Sequence, residues 1–168
     1  DIPIGDDSDL LRNLRAALLD LGDPYQPLLV AVREAHQVAL TARVARAPDY
    51  LWDDVYARVH QALFDTFGFH RRELGQPVFA SEIVDTIQRV PGVRYVDLER
   101  LFAMSPGDPT IRVEPVPTLV VPPGGVLNTR LESALARWDD AVDPPVILPA
   151  QLFYLNASLS ETVNIQEA

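Results

Sequence analysis

The chain has 168 residues, a length that suits one domain, and 48% of them are hydrophobic, which is enough to build a core. The net charge of −10 disfavours a nucleic-acid partner, because an acidic surface repels the phosphate backbone, and all 14 basic residues are arginines. There is no cysteine, which excludes disulfides and thiolate metal sites.

The first elements along the chain are a helix and a strand. Ser8 can cap a helix whose leucines recur at helical spacing until Gly22 ends it. The alternation of apolar and polar residues from Val38 onward predicts a half-buried strand. The stretch 28–46 is longer than one ordinary strand, so the polar segment 34–37 is expected to mark a bend or a change of pairing partner.

Two further helices and a strand follow. Asp49 is predicted to cap a helix that Gly68 ends. The buried stripe of this helix comprises Leu51, Val55, Val59, Leu63 and Phe67. Ser81 is predicted to cap the next helix, which the Pro-Gly pair at 91–92 stops. A strand is predicted over 93–102.

The segment FGFHRRELGQPVFAS between the two helices is either a catalytic loop or a connector. Phe67 and Phe69 are expected to plug the core, and the Gly-Gln-Pro turn at 75–77 is expected to redirect the chain. We interpret the segment as a connector that places both helices on one face of a small sheet.

Proline becomes frequent in the last third of the chain, with nine of the fifteen prolines between Pro106 and Pro149. The segment 110–121 predicts an edge strand, because its prolines cannot donate to a ladder on both sides, and the segment 122–125 predicts a turn. The pattern over 128–140 is compatible with a short helix but leaves its helicity open. Two extended segments are predicted after residue 145, joined by NASLS.

Together these elements predict an α+β fold. It comprises a small sheet with two helices packed on one face, an N-terminal helix and a Pro-rich extended C-terminal arm. The expected divisions are an N-terminal helix and linker over 1–26, an α+β domain over 27–105 and the Pro-rich extension over 106–168.

Titratable residues give no metal or cofactor pattern. His36, His60 and His70 lack the spacing to Cys, Asp or Glu that a zinc site needs, so we expect a structural role for each, with no cofactor and no metal. The acidic pairs at 53–54 and 139–140 are interpreted as surface carboxylates at a helix N-terminus and in a loop.

Ser81, with His70 and Glu73 nearby, suggests a nucleophile, a base and an orienting group. No Gly-x-Ser-x-Gly elbow surrounds Ser81, however, and helix capping already explains that serine. A hydrolase that uses His70 and Glu73 therefore stays an alternative function, and a small α+β binding module is another.

An ordered set of short motifs carries a family resemblance. These are Pro-Asp-Tyr at 48–50, Phe-Gly-Phe at 67–69, Gly-Gln-Pro at 75–77, Ser-Glu at 81–82 and Val-Pro-Gly-Val at 90–93. In this order they resemble the C-terminal part of the baseplate J-like proteins, which are wedge components of contractile phage tails and extracellular contractile injection systems.

The extent of the resemblance differs along the chain. It covers 27–101 well and 147–167 weakly, where ILPAQLFYLN is similar to the terminal segment of the family. The long N-terminal portion of the family has no counterpart here, and the stretch 102–145 does not match the pattern.

The resemblance implies a non-enzymatic baseplate wedge subunit that mediates subunit–subunit assembly around the central spike and tube. The expected partners are other baseplate subunits: a second wedge protein, sheath and tube-associated proteins, and a spike or hub. The implied assembly is a hetero-oligomeric ring of several copies. It is expected to form in the cytoplasm, as part of a phage tail or contractile injection particle.

Two groups of residues are interface candidates. Arg71 and Arg72 are candidates because arginine is enriched at interfaces, although a solvated loop explains them equally well. Phe153, Tyr154 and Leu155 are candidate anchors on the C-terminal arm, because aromatic residues concentrate binding energy. Packing on their own domain is the alternative for these three.

The ends and the hydropathy of the chain give two further expectations. No apolar run has membrane-spanning length, so we expect no membrane insertion. The chain begins at Asp1 with an acidic stretch instead of a basic and then apolar leader, and we expect it to be a fragment of a longer or processed chain.

Overall fold

A computed structural model describes residues 8–23, 25, 28–104, 128–141, 146–157 and 162–168. Within these residues helices and strands are mixed, which confirms the α+β prediction. In chain order the elements are α1 (Asp9–Leu21), β1 (Glu34–Arg46), α2 (Trp52–Phe67), β2 (Val78–Phe79), α3 (Ala80–Gln88), β3 (Val93–Met104), β4 (Arg130–Leu131), β5 (Arg137–Asp139), β6 (Val146–Leu148), β7 (Gln151–Tyr154) and β8 (Val163–Glu167), with a 3-10 turn at Phe69–Arg71. The predicted strand over 110–121 and the turn over 122–125 lie outside the described residues.

The three helices begin in different ways. Ser8 caps α1 as predicted, since its Oγ accepts a hydrogen bond from the Leu11 N–H at 3.3 Å. The prediction that Asp49 caps α2 is wrong. Tyr50 N–H donates to the Ala47 carbonyl in a turn, and Leu51 then takes the cap position without a side-chain hydrogen bond.

The prediction that Ser81 caps α3 is also wrong. The helix begins at Ala80, two residues before the start that a Ser81 cap would give, because Phe79 is held in extended conformation by the pairing of β2 with β4. Ser81 is an exposed residue of the first turn, and Glu82 Oε2 instead accepts from the Phe79 N–H at 3.4 Å. After α3, Gly92 makes the turn into β3 with φ of +97°, a left-handed conformation that favours glycine.

The central strand of the sheet is β1, and its pairing changes along its length. One edge pairs antiparallel with β3. The other edge is shared by two parallel strands, β7 along 34–37 and β8 along 40–44. The segment 34–37 therefore marks a change of pairing partner, one of the two predicted outcomes, within a single thirteen-residue strand.

The hydrophobic core lies between this sheet and two helices on one of its faces, as predicted. Its buried members include Val38, Leu40, Ala42 and Val44 of β1, Val55, Val59, Leu63 and Phe67 of α2, and Ile83 and Ile87 of α3. Leu51, the first residue of the predicted stripe, is exposed because it precedes the helix. Burial of alternate strand residues against two helical stripes accounts for this layered packing.

The sheet contradicts two expectations from the sequence: the division at residue 105 and the extended C-terminal arm. β7 and β8 pair with β1, so both belong to the same sheet as the expected central domain. The segment 128–140 is not helical: it forms β4, which pairs with β2, and β5, which pairs with β6. Leu131 is buried while Leu135 and Trp138 are exposed, so the leucine spacing does not mark a single helical face.

Candidate functional site

The three groups that suggested catalysis do not form a site. His70, Glu73 and Ser81 are all exposed, and no hydrogen bond joins their side chains within the described part of the chain. His70 lies edge-on against the Phe69 ring, with ring centroids 5.4 Å apart. Neither of two shallow depressions on the described surface, one of about 490 Å³ and one of about 330 Å³, is lined by any of these three residues.

The described carboxylates and histidines also form no metal-binding group of three or more. Asp53 and Asp54 lie in the first turn of α2 and Asp139 lies in β5, the positions of surface carboxylates. His36 is buried, lies 3.3 Å from Glu34 Oε2 and stacks on the Phe153 ring at 4.9 Å. These neighbours give His36 a structural setting in the sheet.

The two arginines that are interface candidates differ in their exposure and contacts. Arg71 is exposed at the end of the 3-10 turn. Arg72 is half-buried, and its Nη2 donates to the carbonyls of Gln76 at 3.2 Å and Pro77 at 2.5 Å, with the guanidinium 5.5 Å from the Phe67 ring centre. Burial lowers the pKa of Arg72, and the nearby charge of Glu82 acts in the opposite direction. Arg72 therefore holds its own loop and is not presented to a partner.

We expect Arg72→Ala to destabilise the fold and Arg71→Ala to leave it unchanged. Two donated hydrogen bonds to half-buried carbonyls and a cation–π contact are lost with Arg72, so a loss of about 1–3 kcal/mol is expected in urea unfolding. Arg71→Ala is the matched control, expected within about 0.5 kcal/mol of the wild type. A neutral Arg72→Ala variant would contradict the loop-holding role.

The three candidate anchors near the C-terminus pack on their own domain. Phe153 and Leu155 are buried members of the core, and Tyr154 is half-buried with its ring against Phe69 at 5.2 Å. Leu155 N–H also donates to the Phe67 carbonyl at 2.8 Å. Packing on their own domain is the alternative that the sequence leaves open for these residues. It buries Phe153 and Leu155, so neither is available to a partner.

A row of aromatic side chains lies along one side of α2. The Tyr56 and His60 rings are 4.3 Å apart, and the His60 and Phe64 rings are 6.0 Å apart. This aromatic flank (Tyr56, His60, Phe64) is partly exposed. His60 Nε2 is buried without a hydrogen-bond partner among the described residues, and burial lowers the pKa of this histidine. An uncharged imidazole with an unpaired nitrogen can accept or donate one further hydrogen bond.

The N-terminal helix presents most of its leucines to solvent. The leucine face comprises Leu10, Leu14, Leu18 and Leu21 of α1 with Leu28 and Leu29, each between 38% and 86% exposed. Leu19 is exposed as well, but helical spacing places it on the opposite side of α1. Leu11 is the buried residue of this helix, and Arg15 Nη2 donates to the Val30 carbonyl at 2.7 Å, which holds 28–30 beside α1. The sequence predicted the amphipathic helix, but helical spacing does not reveal whether its apolar side is covered.

The outer edges of the sheet differ in whether their backbone groups have hydrogen-bond partners. The Gln151 carbonyl of β7 accepts from the Gly75 N–H at 2.9 Å, and the Gln151 N–H donates to the Ala134 carbonyl at 2.9 Å. On β3, side-chain amides of Gln88 and Asn128 occupy two carbonyls. Among the described residues, β8 pairs only with β1. Its alternating VNIQE is a strand pattern, but sequence alone does not identify an edge.

Comparison with known proteins adds no relationship. No protein-family model matches the chain, and no curated protein matches it. None of the helices in the described ranges combines the length and apolarity needed to span a bilayer.

Proposed function

We propose that the chain is a structural subunit of a contractile injection particle or phage tail, a baseplate wedge protein that works by assembly with neighbouring subunits. The observation that carries this proposal is the leucine face, a set of six exposed leucines on α1 and the segment beside it. Soluble monomers rarely expose large contiguous apolar patches, and such patches mark interaction surfaces.

The physical argument starts from the helix. An isolated helix of thirteen residues is marginal in water, and α1 is attached to the rest of the chain mainly through Leu11 and Arg15. Burying its exposed leucines against a neighbour would stabilise it by about 25 cal/mol for each Å² of apolar surface removed from water. The leucine face is therefore assigned to contact with another subunit.

The type of assembly rests on the sequence motifs. Pro-Asp-Tyr at 48–50, Gly-Gln-Pro at 75–77 and Val-Pro-Gly-Val at 90–93 resemble the baseplate J-like proteins. In the structure these motifs precede α2, turn the chain between α2 and α3, and lead into β3. They are parts of a scaffold, which fits a structural subunit.

The test tags the chain in its native host, sediments intact particles and measures the tag in them. Wild-type chain is expected in particles that contain sheath and tube. Leu14→Glu with Leu18→Glu places two charges in the leucine face, and incorporation is expected to fall at least about tenfold.

The matched control is Asn13→Glu with Ala16→Glu, which adds the same charge on the other, exposed side of α1. It is expected to be incorporated within about twofold of the wild type. Absence of wild-type chain from sedimented particles would overturn the proposed function. Equal incorporation of both double variants would overturn the role of the leucine face.

A further inference from the structure

The edge of β8 that faces away from β1 carries a defined set of backbone groups. Ala168 N–H donates to the Val44 carbonyl at 3.1 Å, and the parallel register pairs Val44 with Glu167. Since backbone groups alternate in direction along a strand, Asn164 and Gln166 also direct their N–H and C=O groups toward β1. Val163, Ile165 and Glu167 therefore direct theirs away from the sheet.

Those outward groups lack partners in the part of the chain that the structure describes. The side chains of Val163 and Ile165 are buried on the helix-covered face, opposite Leu40 and Ala42. A strand added beside β8 would thus place alternate side chains on the same face, next to Val163 and Ile165. Unpaired strand edges of this kind are templates for pairing with another chain.

The aromatic flank of α2 lies above this edge. On the other side of α2, Arg58, Ala62 and Asp65 line a groove with Thr86 and Arg89 of α3, so the aromatic flank faces away from α3. α3 packs on β3 while α2 contacts β8, which places the flank on the β8 side of the molecule. The flank and the edge therefore lie on the same side of the molecule.

We infer that the edge of β8 under the aromatic flank is a strand-addition site, which takes an extended segment of a neighbouring subunit. This inference rests on the proposed function and deepens it by naming a second contact. The segment is apolar at the alternate positions that face α2 and carries basic residues at the others. Main-chain hydrogen bonds supply the affinity in such complexes and alternate side chains supply the specificity.

Charge decides between the possible occupants. The chain carries a net charge of −10, so two copies repel each other, whereas a basic segment is attracted.

The experiment uses a synthetic fluorescein-labelled peptide of alternating valine and arginine, about nine residues long, a length typical of strands. Its binding to the wild-type chain is measured by fluorescence anisotropy, and saturable binding is expected. A peptide with glutamate in place of arginine is expected to bind at least about tenfold more weakly. A valine–arginine peptide with alternate amides N-methylated is expected not to bind, since it cannot donate to the edge.

The matched protein variants are Glu167→Pro and Glu167→Ala. Proline removes an outward N–H and places its ring at the edge while the ladder to β1 stays intact, so affinity is expected to fall about tenfold. Alanine removes the same side chain and its ion pair with Arg46 at 2.6 Å, and is expected to change affinity less than about twofold. The N-methylated peptide gives the same test on the wild-type chain, whatever the stability of Glu167→Pro.

Three results would overturn the inference. They are no binding of the valine–arginine peptide, equal binding of its N-methylated form, and a wild-type dimer in sedimentation velocity that Glu167→Pro dissociates, which would assign the edge to a second copy. None of these measurements needs a particle. Failure of the strand-addition site is therefore distinguishable from failure of the proposed function.

Discussion

Deletion of residues 146–168 is expected to abolish cooperative folding, because these residues are part of the sheet and the core. The deletion removes β6, β7 and β8 and with them five large buried apolar side chains: Leu152, Phe153, Leu155, Val163 and Ile165. Loss of one such side chain costs about 2–5 kcal/mol, and a whole domain is stable by about 5–15 kcal/mol. Circular dichroism on heating is expected to show no cooperative transition.

The control for this deletion keeps the length and changes only exposed residues. Gln166→Ala with Glu167→Ala alters two exposed side chains of β8 and retains its pairing with β1. This variant is expected to melt cooperatively, since surface substitutions usually change stability by about 0.5 kcal/mol or less. If the deleted chain instead melted cooperatively and only lost its partners, residues 146–168 would be a separate arm.

Phe67→Ala is expected to destabilise the chain by about 3–5 kcal/mol, the usual cost of removing a buried phenylalanine. Phe67 is 2% exposed at the end of the α2 stripe. Phe69, two residues later, is 38% exposed because the 3-10 turn directs it to the rim. The sequence interpretation placed both rings in the core, and the structure confirms only Phe67.

Phe69→Ala is the matched comparison for this prediction. It removes the edge contact with Tyr154 and the contact of Arg33 with the ring at 4.8 Å, together worth about 1 kcal/mol. Urea unfolding of both variants, followed by circular dichroism, gives the two free-energy losses. Equal losses would contradict the different burial of the two rings.

Local patterns predicted most of the first hundred residues. The apolar stripes of α2 and α3 and the alternation in β1 each require one face to be buried, and a period of 3.6 or 2 is legible in the sequence. The boundary errors at Asp49 and Ser81 have a local cause as well. Both residues are good caps by type, but a turn at 47–50 and the pairing of β2 set the helix starts.

Long-range pairing is what the sequence could not supply. No local sequence pattern indicates that Gln151 lies beside Glu34, 117 residues earlier in the chain. The sequence therefore predicts an arm where the structure has β7 and β8. The prolines in the last third of the chain reinforced that interpretation. For the same reason the sequence leaves Phe153 and Leu155 as interface candidates and gives no indication of the open edge of β8.

The shared edge of β1 also constrains how the chain folds as it leaves the ribosome. Arg46 and its ion-pair partner Glu167 are 121 residues apart, so one edge of β1 lacks its strand partners β7 and β8 until residues 151–167 have been translated. Contacts of such separation slow folding and leave apolar strands open to aggregation in the meantime. A nascent chain that stops before residue 151 would therefore carry an uncovered edge of β1 for chaperones and proteases to detect.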